Sequence, residues 1–216
     1  MKTQYAVIAC VVLLVATALY SARLLPTLPE RIPTHWSIQG QVDGYGSRAF
    51  GAWFVPGLMV VTLLMMVGLP WLSPKSFKVD DFRHVYNYVM VMIAVLFVGL
   101  HVLMLQAALH PDVNVGKWLI VGICAFLALI GNVMSKIKRN FWMGIRTPWT
   151  LADDRVWVAT HRFGARTMVG SGVLGALIVG LGGSPAIAFV LIMVGALLPC
   201  VYSLVVYKRL EAEGKA

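Results

Sequence analysis

Residues 85–109 read VYNYVMVMIAVLFVGLHVLMLQAAL and contain no Asp, Glu, Lys or Arg. A helix rises about 1.5 Å per residue, so about 20 apolar residues cross the roughly 30 Å hydrocarbon layer of a bilayer. This stretch is long enough to cross at a tilt. Five more apolar stretches lie at Tyr5–Ala22, Ala52–Leu72, Lys117–Val133, Thr167–Gly183 and Pro185–Tyr207. The pattern predicts an all-α membrane protein, a six-transmembrane-helix bundle.

The composition excludes a soluble globular protein. Hydrophobic residues make up 59% of the 216 residues and charged residues only 12%, and the mean hydropathy is +0.80. Soluble domains carry about 25% charged residues. Cys10, Cys124 and Cys200 all lie inside predicted spans, so we expect buried apolar thiols and no disulfide framework.

The first apolar stretch has some features of a cleaved signal. It follows Lys2 and contains Ala16-Thr17-Ala18, and residues 7–10 resemble a lipoprotein cleavage box. However, the stretch continues without interruption to Ala22, and five more spans follow it. We therefore expect an uncleaved first helix.

Basic residues are unevenly divided between the two sides of the predicted membrane. With the N-terminus inside, 14 of the 18 Lys and Arg residues fall on the cytoplasmic side and 4 fall outside. Cytoplasmic connections are enriched in Lys and Arg. We therefore predict that both ends of the chain are cytoplasmic, and we attribute the net charge of +9 to this bias rather than to direct nucleic-acid binding.

We divide the chain into three parts. Residues 1–72 hold the first two spans with an extracellular loop domain at 23–51, and residues 73–134 hold the third and fourth spans. Residues 135–216 hold a loop at 135–166 and the last two spans. Connections as long as these two loops are usually functional or disordered.

The outer loop is predicted to form an ordered cap or a short hairpin. Pro26, Pro29 and Pro33 exclude a continuous helix, while Asp43-Gly44 and Gly46 are turn signals. Four aromatic residues suit an anchor at the headgroup level: Trp36, Tyr45, Phe50 and Trp53.

His35 and Asp43 are the candidate metal ligands or acid and base of this loop. With only Glu30 nearby, they fall short of the three or four ligands that zinc needs. We expect no metal here and favour a structural histidine that bonds the turn, with acid–base chemistry as the alternative.

The inner loop is predicted to contain a helix from Leu151 to Phe163. Thr150 and Asp153 have the spacing of a capping box. Helical spacing places Val156, Trp157, Thr160 and Phe163 on one face and Arg155 and Arg162 on the other. We expect an amphipathic interfacial helix whose arginines face anionic headgroups or a protein partner. Alternatively, the loop is a re-entry elbow whose charges only follow the positive-inside bias.

Two motifs carry a resemblance to a known family. The inner motif is Gly144-Ile145-Arg146-Thr147-Pro148-Trp149-Thr150, followed by Val156-Trp157 and Thr160-His161-Arg162. It resembles the signature of the SdpI family of bacterial membrane proteins. The outer motif is Ile32-Pro33-Thr34-His35-Trp36, followed by Gly40, Asp43-Gly44 and Ser47-Arg48. It resembles the domain of unknown function that often precedes that signature, with Trp36 where Phe is usual and Arg48 where Lys is frequent.

The resemblance implies a six-span protein of the bacterial cytoplasmic membrane. The family's name-giving members protect a producer from a secreted killing peptide and can recruit a repressor to the membrane, while many relatives have no toxin nearby. It therefore implies a toxin peptide as the outer partner and a cytoplasmic repressor as the inner partner, besides membrane lipid.

Candidate contact residues come from the two motifs. The inner set is Asn140, Gly144, Arg146, Thr147, Pro148, Thr150, Asp153, Arg155, Trp157, His161 and Arg162. The outer set is Pro33, His35, Trp36, Asp43, Gly44 and Arg48. Within the inner set we expect Arg146, Asp153, Arg155, His161 and Arg162 to make the contact.

Polar residues inside the spans are further candidates. His101 and Gln106 lie in the third span and Asn132 in the fourth. Polar side chains in lipid usually face the bundle interior, where they either serve function or form helix–helix hydrogen bonds. In the fifth span, small residues at Ser171 and Gly175, Gly172 and Ala176, and Ala176 and Gly180 predict close helix packing.

Three classes of function are compatible with this pattern. We favour a non-enzymatic immunity or signal-reception protein, with a small transporter or channel as the alternative. A membrane enzyme is disfavoured, because the sequence has no His-Glu-x-x-His, no Gly-x-Ser-x-Gly and no dense carboxylate set. We expect no cofactor, no metal and no catalytic residue, and the sequence leaves the oligomeric state open.

Overall fold

The computed structural model describes residues 1–37, 41–74 and 77–214. Its elements, in chain order, are α1 (Thr3–Leu24), β1 (Arg31–Trp36), β2 (Val42–Ser47), α2 (Arg48–Gly68), α3 (Arg83–Leu109), α4 (Val115–Met134), α5 (Pro148–Ala152), α6 (Asp154–Gly180) and α7 (Pro185–Ala212). All of these helices except α5 are long and apolar enough to cross a membrane, which confirms the predicted six-span bundle. Gly40 of the outer motif, and Lys75 and Lys215 of the basic-residue count, lie outside the described residues.

The chain divides into two compact units. The first comprises Met1–Val67 and Asn87–Gly122, and the second comprises Gly68–Tyr86 and Ile123–Ala216. Because the divisions fall inside α2, α3 and α4, each of these helices contributes residues to both units.

In the first unit, α1, α2 and α3 pack through small and flexible apolar side chains. Ala6 and Cys10 of α1, Met59 of α2, and Met90 and Ala94 of α3 belong to one buried cluster. Methionine is unbranched and adapts to irregular gaps, so it fills the space that the small residues of α1 and α3 leave.

The outer loop forms the predicted hairpin. β1 and β2 pair antiparallel, with Ile32 opposite Gly46 and Trp36 opposite Val42, and the register shifts on both sides of His35. Ile32 is fully buried and belongs to a cluster that includes Leu105 of α3. A Cβ atom at Gly51 would lie 2.7 Å from the Ile32 side chain, so only glycine lets the hairpin pack this closely on α2.

In the second unit, small residues let α6 approach α4 and α7. A Cβ atom at Gly172 would lie 2.5 Å from the Cys124 carbonyl oxygen, and one at Gly175 would lie 2.7 Å from Cys124 Sγ. Thr167 Oγ1 donates a hydrogen bond to the Gly195 carbonyl of α7 at 2.7 Å. The predicted close packing is confirmed at these positions, whereas at Gly180 no atom lies within 4 Å of an added Cβ.

The helix predicted over Leu151–Phe163 is not a separate interfacial helix. Its residues from Asp154 onward are the first turns of α6, which continues through the fifth span to Gly180. No proline separates Phe163 from the apolar stretch, α6 continues through Gly164, and the face bearing Val156, Trp157 and Thr160 is buried in the protein. The amphipathic pattern therefore reflects burial against protein and not against headgroups.

The capping box also lies elsewhere than predicted. It is formed by Thr147 and Thr150 around α5, while Asp153 alone caps α6 by accepting from the Arg155 backbone N–H at 2.7 Å. Pro148 explains the difference, because proline is favoured at the first position of a helix and makes the preceding Thr147 the cap.

Gly172→Val is expected to lower the free energy of unfolding by about 1–3 kcal/mol, because the added methyl groups overlap α4 backbone. Gly170→Val is the matched control, since it makes the same change in the same helix where no atom lies within 4 Å of the new Cβ. Thermal unfolding of both variants in detergent micelles measures the difference. Equal midpoints would contradict the close packing of α6 on α4.

Candidate functional site

A buried asparagine organises the start of the signature segment, which we define as residues 135–166. Asn140 Nδ2 donates to the carbonyls of Lys138 at 2.8 Å and Met143 at 3.1 Å. Its Oδ1 accepts from the backbone N–H groups of Trp142 at 2.7 Å and Met143 at 2.8 Å. Asn140 thus uses both donors and both acceptor positions of its amide to replace backbone partners that the irregular chain lacks.

His161 of α6 holds the next turn. Its Nε2 accepts from the Ile145 backbone N–H at 3.0 Å, and its Nδ1 lies 2.8 Å from the Trp157 carbonyl. Because a backbone N–H can only donate and a carbonyl can only accept, this geometry requires the neutral ring with its proton on Nδ1. His161 therefore acts as a hydrogen-bond bridge between α6 and the segment.

Gly144 is required where the segment passes His161. Its φ is +103°, a backbone conformation that other residues rarely adopt, and a Cβ atom there would overlap His161 Nε2. Trp157 stacks on the His161 ring with centroids 4.0 Å apart and donates from Nε1 to the Ile137 carbonyl at 2.7 Å. Gly144, His161 and Trp157 are thus one packed unit.

The two threonines of the inner motif close the second turn. Thr150 Oγ1 donates to the Ile145 carbonyl at 2.8 Å and accepts from the Thr147 backbone N–H at 2.9 Å. Thr147 Oγ1 lies 2.9 Å from Ser203 Oγ, which ties the segment to α7. The Thr-Pro-x-Thr spacing therefore fixes a short helix against the last span.

Five charged residues of the segment form ion pairs or hydrogen bonds within it. Arg155 donates to Asp153, with its closest approach at 2.6 Å, and this hydrogen bond holds the pKa of Asp153 at about 2, well below its usual value. Arg139 binds Asp154 at 2.8 Å, and Arg146 donates to the Phe141 carbonyl. These charges stabilise the segment itself.

Other basic side chains of the segment project from it. Lys136, Lys138, Arg162 and Arg166 are exposed, and we call them the basic rim. Lys138 also lines a pocket of about 440 Å³ together with Asp81 and Asp154. Of the basic rim, only Arg162 is among the predicted contact residues. Lys136, Lys138 and Arg166 belong to no motif, so their positive charge is the only signal in the sequence that could have identified them.

The predicted inner contact residues therefore differ in their exposure. Asn140, Thr150, Trp157 and His161 are at most 1% exposed and cannot touch a partner directly in this conformation. Gly144, Thr147 and Asp153 are half-buried, whereas Arg146, Pro148, Arg155 and Arg162 are exposed. Contact with a partner stays a prediction for the exposed group, and the buried group positions the backbone that carries it.

On the hairpin, the outer motif brings His35 and Asp43 together. His35 Nδ1 lies 2.5 Å from Asp43 Oδ1, and both side chains are largely exposed. A Cβ atom at Gly44 would lie 2.8 Å from His35 Cβ, so glycine is needed opposite the histidine. The favoured interpretation of His35 as a residue that bonds the turn is consistent with this pair. In residues 1–37, 41–74 and 77–214, no three His, Cys, Asp or Glu side chains cluster.

The remaining outer residues shape the hairpin and the space beneath it. Pro33 lies opposite Tyr45, and Arg48 closes the base of the hairpin, its backbone N–H donating to the Glu30 carbonyl at 3.0 Å. Trp36 lines a pocket of about 550 Å³ within the first unit. Other walls of this pocket come from α2, α3 and α4. No motif in the sequence indicates this pocket.

Two intramembrane polar residues join α1 to α3. His101 is fully buried and its Nε2 lies 2.6 Å from Ser21 Oγ, while Gln106 donates to the Tyr20 hydroxyl at 2.6 Å. Asn132 is exposed on α4. His101 and Gln106 therefore form hydrogen bonds between helices. A further role for His101 or Asn132 stays a prediction.

Asn140→Asp is expected to destabilise the protein by about 1–3 kcal/mol, because two carbonyls lose their donor and a carboxylate is buried against them. Asn114→Asp is the matched control, since exposed Asn114 only accepts from the Lys117 N–H, which a carboxylate does equally well. Thermal unfolding and limited proteolysis of the signature segment test this. Similar behaviour of the two variants would show that Asn140 does not organise the segment.

Two family models and a known protein match this chain. The family model described as "SdpI/YfhL protein family" matches residues 136–203, and the one described as "Domain of unknown function (DUF1648)" matches residues 12–60. The Immunity protein SdpI of Bacillus subtilis (strain 168) is 28% identical over 209 residues, which cover 96% of each chain. No solved structure matches. The matched signature, the matched N-terminal domain and the similarity along almost the whole chain show that this six-span membrane protein is similar to the SdpI family.

Proposed function

We propose that this chain is a non-enzymatic immunity and signal-reception protein of the bacterial cytoplasmic membrane. The observation that carries the proposal is its similarity, over 96% of both chains, to a protein named for immunity. Similarity of this extent covers the hairpin and the signature segment alike, so it supports a function that uses both.

The proposed topology has both termini in the cytoplasm. It rests on the division of Lys and Arg residues, 14 to 4 in favour of the side that carries the signature segment. Three spans, α2, α3 and α4, separate the hairpin from that segment along the chain. An odd number of crossings puts the hairpin outside when the signature segment is inside.

In this proposal the hairpin receives a secreted toxin peptide and the signature segment reports to a cytoplasmic repressor. The hairpin supports reception because it is ordered and covers a pocket. The signature segment supports reporting because its buried hydrogen bonds hold Arg146, Arg155 and the basic rim on a fixed backbone. A positive surface of this kind attracts an acidic face of a protein partner.

The topology predicts which positions are accessible from outside the cell. In a background with Cys10, Cys124 and Cys200 replaced by Ala, Gln41→Cys is expected to react with a membrane-impermeant maleimide on intact cells, and Lys138→Cys only after lysis. Both residues are exposed, so burial does not decide the result. The reverse labelling pattern would overturn the topology and the assignment of the two faces.

The immunity function predicts protection of a susceptible bacterium. Expression of the chain is expected to raise the minimal inhibitory concentration of at least one peptide from a panel of secreted, apolar antimicrobial peptides. An unrelated six-span protein made at the same level controls for the load on the membrane. If the chain reaches the membrane and no peptide loses potency, the proposed function is wrong.

A further inference from the structure

The pocket beneath the hairpin has an apolar compartment. Its volume is about 550 Å³, within the range of roughly 300–1,000 Å³ that is usual for ligand sites. Phe54 of α2, Leu100 and Leu103 of α3 and Leu119 of α4 supply aromatic and aliphatic walls. Phe54 is 50% exposed, so the compartment is open and its walls have apolar surface left to bury.

A second compartment adjoins the first. It measures about 580 Å³, and Trp36 and Val115 line both, so the two form one cleft within the first unit. Arg31, Gln41, Asp112 and Asn114 are among the residues that line the second compartment. The cleft therefore passes from an apolar wall to a polar one, which fits an amphiphilic ligand.

The charged residues that line the polar compartment favour some headgroups of an amphiphilic ligand over others. Arg31 and Asp112 carry opposite charges, so the pair adds no net charge to attract an anionic phosphate headgroup. The usual donors at phosphate sites are arginine, lysine and free helix N–H groups. Here the Lys117 N–H in the first turn of α4 is already bonded to Asn114 Oδ1 at 3.0 Å. The lining thus disfavours a phospholipid headgroup.

A peptide backbone matches the same lining. Each peptide unit offers one donor and one acceptor, and the lining holds both kinds of group: the Arg31 guanidinium and the Gln41 amide donate, and the Asp112 carboxylate and the Gln41 amide accept. The hairpin adds to this match. Among the residues that the structure describes, β1 and β2 pair only with each other, so each strand has one edge without a strand neighbour. Extended peptides bind at such edges.

We propose that this cleft binds an apolar peptide segment in an extended conformation, with its apolar side chains in the first compartment and its backbone against the second. The inference rests on the proposed function and names the chemistry of the outer ligand. It also assigns specificity to Leu103, Leu100, Phe54 and Leu119, none of which belongs to the outer motif.

The test uses the full chain in phosphatidylcholine nanodiscs and the blocked hexapeptide acetyl-Leu-Ser-Leu-Ser-Leu-Ser-amide as probe. Isothermal titration, corrected with empty nanodiscs, is expected to show saturable binding of one peptide per chain. Leu103→Trp fills the apolar compartment and is expected to weaken binding at least about tenfold, since the peptide side chains lose their burial. Val102→Trp is the matched control, because Val102 directly precedes Leu103 in α3 and does not line the cleft. This variant should bind the peptide like the wild type.

A second pair of variants guards against misfolding of Leu103→Trp. Phe54→Ala removes a wall of the compartment and should weaken binding, whereas Trp53→Ala truncates an exposed neighbour outside the cleft and should not. The inference is overturned if no saturable binding occurs or if both variants of either pair bind equally. It is also overturned if dihexanoylphosphatidylglycerol binds with sensitivity to Leu103→Trp while the peptide does not.

The outcome separates this inference from the proposed function. A chain that protects cells but does not bind the probe through the cleft keeps its immunity role and refutes the peptide cleft. A chain that binds the probe and loses binding on Leu103→Trp, yet protects against no secreted peptide, supports the cleft and refutes the immunity role.

Discussion

Backbone N–H and C=O groups have no partner in hydrocarbon, and this constraint underlies the rest of the structure. Helices satisfy it locally, so six apolar stretches become six helices of membrane-crossing length. Irregular backbone that is buried away from water needs side chains or other backbone groups as partners. The hairpin does so by strand pairing. The signature segment does so with Asn140, His161 and Thr150, which bond the backbone at Met143, Ile145 and Thr147.

This explains what the inner motif encodes. Gly144 has a left-handed conformation against His161, Trp157 stacks on that ring, and Thr147 and Thr150 cap one another. These residues make the motif recognisable because each satisfies or permits a specific backbone geometry. The motif therefore identifies how the segment folds, whereas the surface that a partner would meet is made by exposed arginines and lysines around it.

Glycine has a comparable role in both units, because it sets how closely two elements approach. Gly51 admits the Ile32 side chain under the hairpin, and Gly172 admits the Cys124 carbonyl between α4 and α6. A larger residue at Gly51 would push the Ile32 side chain away from α2, and one at Gly172 would push α6 away from α4.

The amino-acid sequence alone determined the six spans, the hairpin and the family resemblance, because apolar run length, Pro and Gly positions and short motifs depend only on local chemistry. Three features depended on tertiary structure. The helix at 151–163 merges with the fifth span, since burial against protein rather than headgroups accounts for its apolar face. Several predicted contact residues are buried, since a motif cannot reveal whether a polar side chain faces a partner or its own backbone. The cleft beneath the hairpin arises because Trp36, Phe54, Leu103 and Leu119, distant along the chain, meet only when the first unit folds.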